Sequence, residues 1–323
     1  MENSSMNFPR RIRDFSIFHE GDMITGLLLA VLAGCIWSFC GIANSFCARF
    51  NLNITTYLFS NTACSCLLAF LFIVRYGVIR QAPWGVLCAI LIPAGVFNTG
   101  GAVLLQYAMK KGHHGIIFLF CQSAMILPLL SGVTLFGEKL SLYQGIGCCA
   151  IFSGMVCCAV PKLTVKKEHP REEEAKKGKS YLWLLLALCS FFSYGIAQTL
   201  MTVPSWKGIS DPAQLRTALL YLGSTLLMTV FGFTSGKKLE FNRKLIAFGI
   251  LCSLLSLVST AVLFRALDHL SVHQLSAIGF PLAVATSLVG FTLYSLLGMK
   301  EKCYKMTLLG LILIVGGGIL IGF

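Results

Sequence analysis

Charge is what this sequence lacks. Of 323 residues, 12% are charged and 56% are hydrophobic, whereas a soluble domain carries about 25% charged residues. A chain this poor in charge cannot cover a water-facing surface, so soluble globular enzymes drop out first. Acids are scarcer still, 13 Asp and Glu against 26 Lys and Arg, for a formal net charge of +13. That balance raises nucleic-acid binding, but the cations sit in short gaps between apolar runs, and no nucleic-acid partner is expected. Cys-x-x-Cys is also absent, although there are 14 Cys, most of them inside apolar runs. Neighbours such as Cys148–Cys149 and Cys157–Cys158 point about 100° apart on a helix, so neither pair makes a metal cage. A disulfide framework belongs to small secreted domains, which this chain is not. Its cysteines read as small apolar packers, with a thiol-dependent function as the alternative.

Long apolar runs take up most of the chain. A hydrocarbon core of about 30 Å needs roughly 20 apolar residues as a helix. Ten segments qualify: Met23 to Cys47, Ile54 to Val74, Trp84 to Met109, His114 to Phe136, Leu142 to Val160, Tyr181 to Val203, Gln214 to Thr234, Leu245 to Leu267, Gln274 to Leu297 and Tyr304 to Phe323. Backbone polar groups in lipid must be satisfied within the segment or in a closed barrel. The alternating ten-residue strands of a barrel are missing, so the expectation is an all-α, multi-pass integral membrane protein with lipid around it. The first 22 residues lack an apolar signal core and read as a short tail. Small residues abound, with 31 Gly. Gly147 with Gly154 and Gly310 with Gly317 each share a helix face, as a close-packing stripe would require.

The two halves resemble each other. Gly41-Ile42-Ala43-Asn44-Ser45 matches Gly195-Ile196-Ala197-Gln198-Thr199, 154 residues on; Ala102-Val103-Leu104 matches Ala261-Val262-Leu263, 159 on. Glu138-Lys139, Gly147 and Gly154 match Glu301-Lys302, Gly310 and Gly317, 163 on. The matches are collinear, so the repeat unit is five helices. An odd number of spans inverts the second half in the membrane, which is the plan of many secondary transporters. The expected organisation is a tail (1–22), a first five-helix repeat (23–160), a charged linker (161–180) and a second repeat (181–323). The linker holds seven Lys or Arg and four Glu and reads as a solvated tether.

With these features the chain resembles the drug/metabolite transporter superfamily. Phe136-Gly137-Glu138-Lys139-Leu140-Ser141 followed by Gly147 and Gly154 is similar to the element between the fourth and fifth helices of its EamA-like members. The second copy departs, because Gly298-Met299-Lys300-Glu301-Lys302 has two residues between Gly and Glu. The resemblance implies alternating access around a cavity lined mainly by helices 1, 3, 4, 6, 8 and 9. Orientation is left open: Lys and Arg in the odd loops place both termini outside by the positive-inside rule, and the resemblance implies the reverse.

Ionisable residues within a membrane are functional candidates by default. All 13 acids fall in tails, gaps or helix ends, which speaks against a metal centre or a central carboxylate relay. Two cations lie within spans, Arg216 and Arg265. An Arg at a helix centre costs about 2.5–3.5 kcal/mol, less near an end where it snorkels; its functional use would be as a counter-charge for a carboxylate or phosphate. Arg265 is the stronger of the two, because its helix is expected at the cavity. Uncharged substrate-binding candidates are Trp37, Asn44, Asn98, Gln122, Tyr194 and Gln198. Asn44 and Gln198 occupy matched positions, Trp37 shares a face with Asn44, and Tyr194 shares one with Gln198. Interhelical hydrogen bonding is the alternative for each amide. Asn61 aligns with Arg216 but falls on helices expected outside the cavity. His114, His273 and Arg216 are the candidates for coupling, since a His can take up a proton near neutral pH. Pro93, Pro128 and Pro281 should bend their spans.

The expected function is secondary transport of a small polar metabolite, anionic or zwitterionic, such as an amino acid, a sugar or a nucleotide sugar, coupled to a proton or a counter-substrate. No cofactor, metal or enzymatic activity is expected. The rivals are a membrane enzyme acting on a lipid-linked substrate, a non-transporting scaffold and a channel.

Overall fold

A computed structural model describes residues 20–49, 53–74, 82–111, 117, 121–164, 182–209, 213–234, 243–298 and 304–321. Among these residues every regular element is helical. In chain order they are α1 (Glu20–Arg49), α2 (Ile54–Leu68, continued by a π-turn over Ala69–Ile73), α3 (Trp84–Lys111), α4 (Ile126–Thr134), α5 (Leu142–Thr164), α6 (Leu182–Trp206), α7 (Ala213–Thr234), α8 (Arg243–Val272), α9 (Gly279–Leu297) and α10 (Lys305–Ile321). Seven helices are long and apolar enough to cross a membrane; Ser123–Thr134, Leu142–Cys158 and Lys305–Ile321 are apolar but shorter. The expected count of ten full spans is thus met in length by seven among the described residues.

The helices are apolar on the outside as well as in the core, and a set of polar side chains is buried among them. Phe72, Leu142, Phe233 and Leu297 are largely exposed, while Gln106, Gln198, Arg216, Ser253 and Thr217 are buried. Exposed apolar surface on this scale belongs against lipid. Hydroxyls, most of them buried, hold the helices together. Ser190 donates to the Gly101 carbonyl at 2.8 Å, Ser193 to Phe97 at 2.6 Å, Ser224 to Gly95 at 3.1 Å and Ser65 to Ser253 at 3.3 Å. Such interhelical bonds contribute about 0.6 kcal/mol each on average in a membrane.

Packing partners come in matched sets. The helix α1 lies on α8 and α9, and α6 lies on α3 and α4; α2 packs on α8, and α3 on α7; α2 meets α7, and α5 meets α10. Replacing each helix by the one five places along returns the same set. The α5–α10 pair shows how close the approach is. A Cβ on Gly147 would lie 2.6 Å from the Gly317 carbonyl oxygen, and one on Gly154 would lie 2.6 Å from that of Gly310. The two stripes therefore face each other, and side chains there would force the backbones apart.

Helices α4 and α9 open alike. A 3-10 turn, Ser123–Met125 or Ser276–Ile278, precedes each, and Pro128 or Pro281 follows three residues later. Proline cannot donate to the carbonyl four residues back, that of Ala124 or Ala277, and the tighter turn falls where that bond is missing. Pro93 sits within α3.

Candidate functional site

A partly open cavity of about 220 Å³ lies between the helices. Helix α1 contributes Trp37, Cys40 and Gly41; α3 contributes Asn98, Thr99, Ala102, Leu105 and Gln106; α6 contributes Tyr194, Gln198 and Met201. From α8 come Ser256 and Thr260, from α9 Phe280, Val284 and Ser287, and from the segment before α4 Cys121 and Gln122. Helices α2 and α7, expected outside, also reach it through Leu58, Asn61 and Thr62 and through Leu220, Tyr221 and Ser224. Lining positions recur every three or four residues, the spacing of one helix face.

No Asp, Glu, Lys, Arg or His is in this wall among the described residues. Its hydroxyls are largely occupied. Ser224 donates to backbone carbonyls, the Tyr221 and Thr260 hydroxyls are hydrogen-bonded to each other at 3.1 Å, and Ser256 lies 3.5 Å from the Cys40 thiol. The amides differ. The buried carbonyl oxygens of Asn61, Gln106 and Gln198 have no hydrogen-bond partner, although Gln106 and Gln198 are only 4% and 8% exposed. A buried polar atom without a partner costs about 1–3 kcal/mol, so three around one cavity require an explanation.

Five of the expected substrate-binding residues, Trp37, Asn98, Gln122, Tyr194 and Gln198, meet at this cavity. Asn44 lies on α1, but its side chain is outside the described residues, and so is His114. Arg265 is exposed and does not line the cavity. The cause is one residue of register. Ser256 and Thr260 face the cavity and Phe264 continues their face, so Arg265 is turned about 100° away. His273 falls in the turn after α8 rather than in a ninth helix; it is half-buried, and its Nε2 has no partner.

Arg216 neither snorkels nor faces the cavity. It is fully buried and pairs with Asp268. Its Nη1 donates to Ser205 Oγ at 2.8 Å, and Ser205 in turn donates to Asp268 at 2.7 Å. The guanidinium lies over the Phe264 ring, 4.9 Å from its centroid. Asp268 had been placed in a gap beyond the eighth apolar run, but α8 continues to Val272 and carries it inside. Neither intramembrane cation is therefore available as a counter-charge in the cavity.

A second polar cluster lies at the same end of the bundle. Glu138, 3% exposed, accepts from the backbone N–H groups of Ser276 at 3.1 Å and Ala277 at 2.8 Å, and from the Ser276 hydroxyl. The carboxylate thus caps the N-terminal end of the turn leading into α9, where N–H groups lack intrahelical partners. Gly137, at φ 70°, makes the turn that delivers it, a conformation that costs glycine little. In the second copy Gly298 has φ −82°, so the left-handed turn is not repeated there; Glu301 and Lys302 lie outside the described residues. A capping box follows Glu138, with Gln144 N–H donating to Ser141 Oγ and Ser141 N–H donating to Gln144 Oε1. Beside this layer Phe136 stacks on Trp206 at 4.5 Å, and the indole N–H donates to the Phe136 carbonyl.

These features define a multi-pass integral membrane protein with a central cavity whose described lining is polar in part and uncharged. Comparison with known families adds that residues 24–160 match the EamA-like transporter family. That part of the chain is EamA-like, of the drug/metabolite transporter superfamily, and the match points to a membrane transporter of that type. Twenty-eight chains of solved structures also match. One of them, described as "Crystal structure of protein", is 16% identical, covers 94% of this chain and 96% of its own, and has a TM-score of 0.67. At that identity the likeness shows the fold alone. No curated protein matches the chain.

Proposed function

We propose that the protein is an alternating-access secondary transporter of a small polar solute, built as two five-helix halves, 23–160 and 181–323, inverted in the membrane and joined by the linker 161–180. The observation that carries this reading is the cavity between helices of both halves, with buried amide oxygens awaiting donors. An inverted-repeat carrier binds its solute at that interface, near the midplane. Support for the inversion comes from the matched packing sets and from the facing glycine stripes of α5 and α10.

Alternation requires one end to close while the other opens. The cluster of Arg216, Asp268 and Ser205, the Glu138 cap and the Phe136–Trp206 stack lie together at the end formed by the termini of α6 and α8 and the starts of α7 and α9. On this reading they seal that end in the conformation described, and the solute enters from the opposite end. Opening the sealed end means exchanging these contacts for others on a solute-loaded cavity.

Purified protein in liposomes should take up its solute saturably and show counterflow, in which unlabelled solute on one side drives labelled solute from the other. Linear flux without counterflow would indicate a channel. A scaffold would carry no solute.

A further inference from the structure

Resting on the carrier reading, we propose that the transported solute is neutral and rich in hydroxyl groups, of the chemical class of sugars and polyols. Charge is the first discriminator. A carboxylate or phosphate in this cavity would find no cation among the described residues, because none lines the wall, Arg216 is committed to Asp268 and Arg265 is exposed elsewhere. An ammonium group would find no carboxylate among the lining residues. Burying an ion without a partner is strongly unfavourable.

Hydrogen bonding is the second discriminator. Each amide side chain offers an acceptor oxygen and two N–H donors. A hydroxyl does both jobs at once, donating one hydrogen and accepting at its lone pairs. A carboxylate only accepts and an ammonium only donates, so each leaves half of every amide unmatched. Gln106, Gln198 and Asn61 present oxygens without donors, and the hydroxyls of Thr62, Ser224, Tyr221 and Thr260 are bonded to backbone or to each other rather than to them. The solute must bring several donors without bringing charge.

Shape is the third. At about 220 Å³ the cavity is below the roughly 300–1,000 Å³ of pockets for drug-sized ligands, which favours a single small ring or short chain over a nucleotide conjugate. Trp37 and Phe280, stacked with centroids 6.4 Å apart, give a flat apolar wall for the carbon–hydrogen face of such a ring.

The test is counterflow in liposomes with four sets of probes: free hexoses, pentoses and hexitols; the same sugars as phosphates; zwitterionic amino acids; and dicarboxylates. The expected result is counterflow of at least one neutral polyhydroxy probe and of none of the ionised ones. A deoxy analogue lacking one bonded hydroxyl should lose about 5- to 100-fold in apparent affinity. Gln106→Leu should weaken the parent sugar by a similar factor while leaving the melting temperature unchanged or raised. Counterflow of a phosphate, dicarboxylate or amino acid in place of the neutral probes would overturn the substrate class and leave the carrier reading standing. Saturable transport of no probe in any set counts against both. A neutral solute passing without saturation overturns the carrier reading alone.

Discussion

The sealed end and the cavity handle polarity in opposite ways. At the sealed end the charges are buried and matched: Arg216 with Asp268 and Ser205, Glu138 with the N–H groups of Ser276 and Ala277. Among the described residues of the cavity wall charge is absent, and amide oxygens stand without partners. The contrast separates two uses of a polar group in a membrane protein. A group whose valences are filled by the fold holds helices together, and one left empty at the cavity wall is, on the proposed reading, a place for the solute. Charge alone would have reversed the assignment, since the two intramembrane arginines look more functional than a glutamine.

This contrast can be broken by substitution, because the two regions should respond with opposite sign. The largest effect belongs to Arg216→Ala. It strands Asp268 in the bundle, and losing one partner of a buried pair costs about 3–5 kcal/mol. A thermal melt should fall sharply, and a matched double variant, Arg216→Leu with Asp268→Leu, should recover much of the loss. Additive losses in that double-mutant cycle would mean the pair is not coupled. Next comes Glu138→Gln. The amide keeps an acceptor but gives up charge at the N-terminal end of the turn into α9, where charge-assisted hydrogen bonds are worth about 1.5–3 kcal/mol. Its melt should fall by less than that of Arg216→Ala; no change would show that the cap is dispensable.

The cavity should behave otherwise. Gln106→Leu removes an acceptor that has no donor, so replacing it by an apolar group of similar size is neutral or stabilising. A fall as large as that of Glu138→Gln would mean Gln106 is a packing residue, and the distinction between the two regions would collapse. The smallest effect is expected at Arg265. Because its side chain is exposed on the far face of α8, Arg265→Ala should leave counterflow as in the parent, and a tenfold loss would return it to the solute path.

Much of the scaffold was legible from hydropathy. The apolar run from Ile54 to Val74 is the helix Ile54–Leu68 and its π-turn, and the glycine stripes of the fifth and tenth runs do face each other. Five residues of the cavity were also legible, because uncharged polar side chains at helical spacing in an apolar run stand out. What escaped depended on rotation and on distance. Arg265 was misplaced because a one-residue difference in register turns a side chain about 100°, more than a repeat alignment resolves. Asp268 escaped because α8 continues past the apolar run, and because its partner is on another helix. Glu138 read as an acid in the gap before the fifth helix; only the fold brings it against Ser276. Asn61 and Gln106 needed knowledge of which helices surround the cavity. The Ser-Ala and Pro-Leu pairs at 123–129 and 276–282 are a readable signal for the paired 3-10 turns.

The central claim is that the unpartnered amides are the solute site. It is tested most directly by counterflow in liposomes containing equal amounts of folded wild-type protein or of the double variant Gln106→Leu, Gln198→Leu. The account predicts a variant that melts at or above the parent temperature and has lost counterflow. Undiminished counterflow in that variant would contradict it.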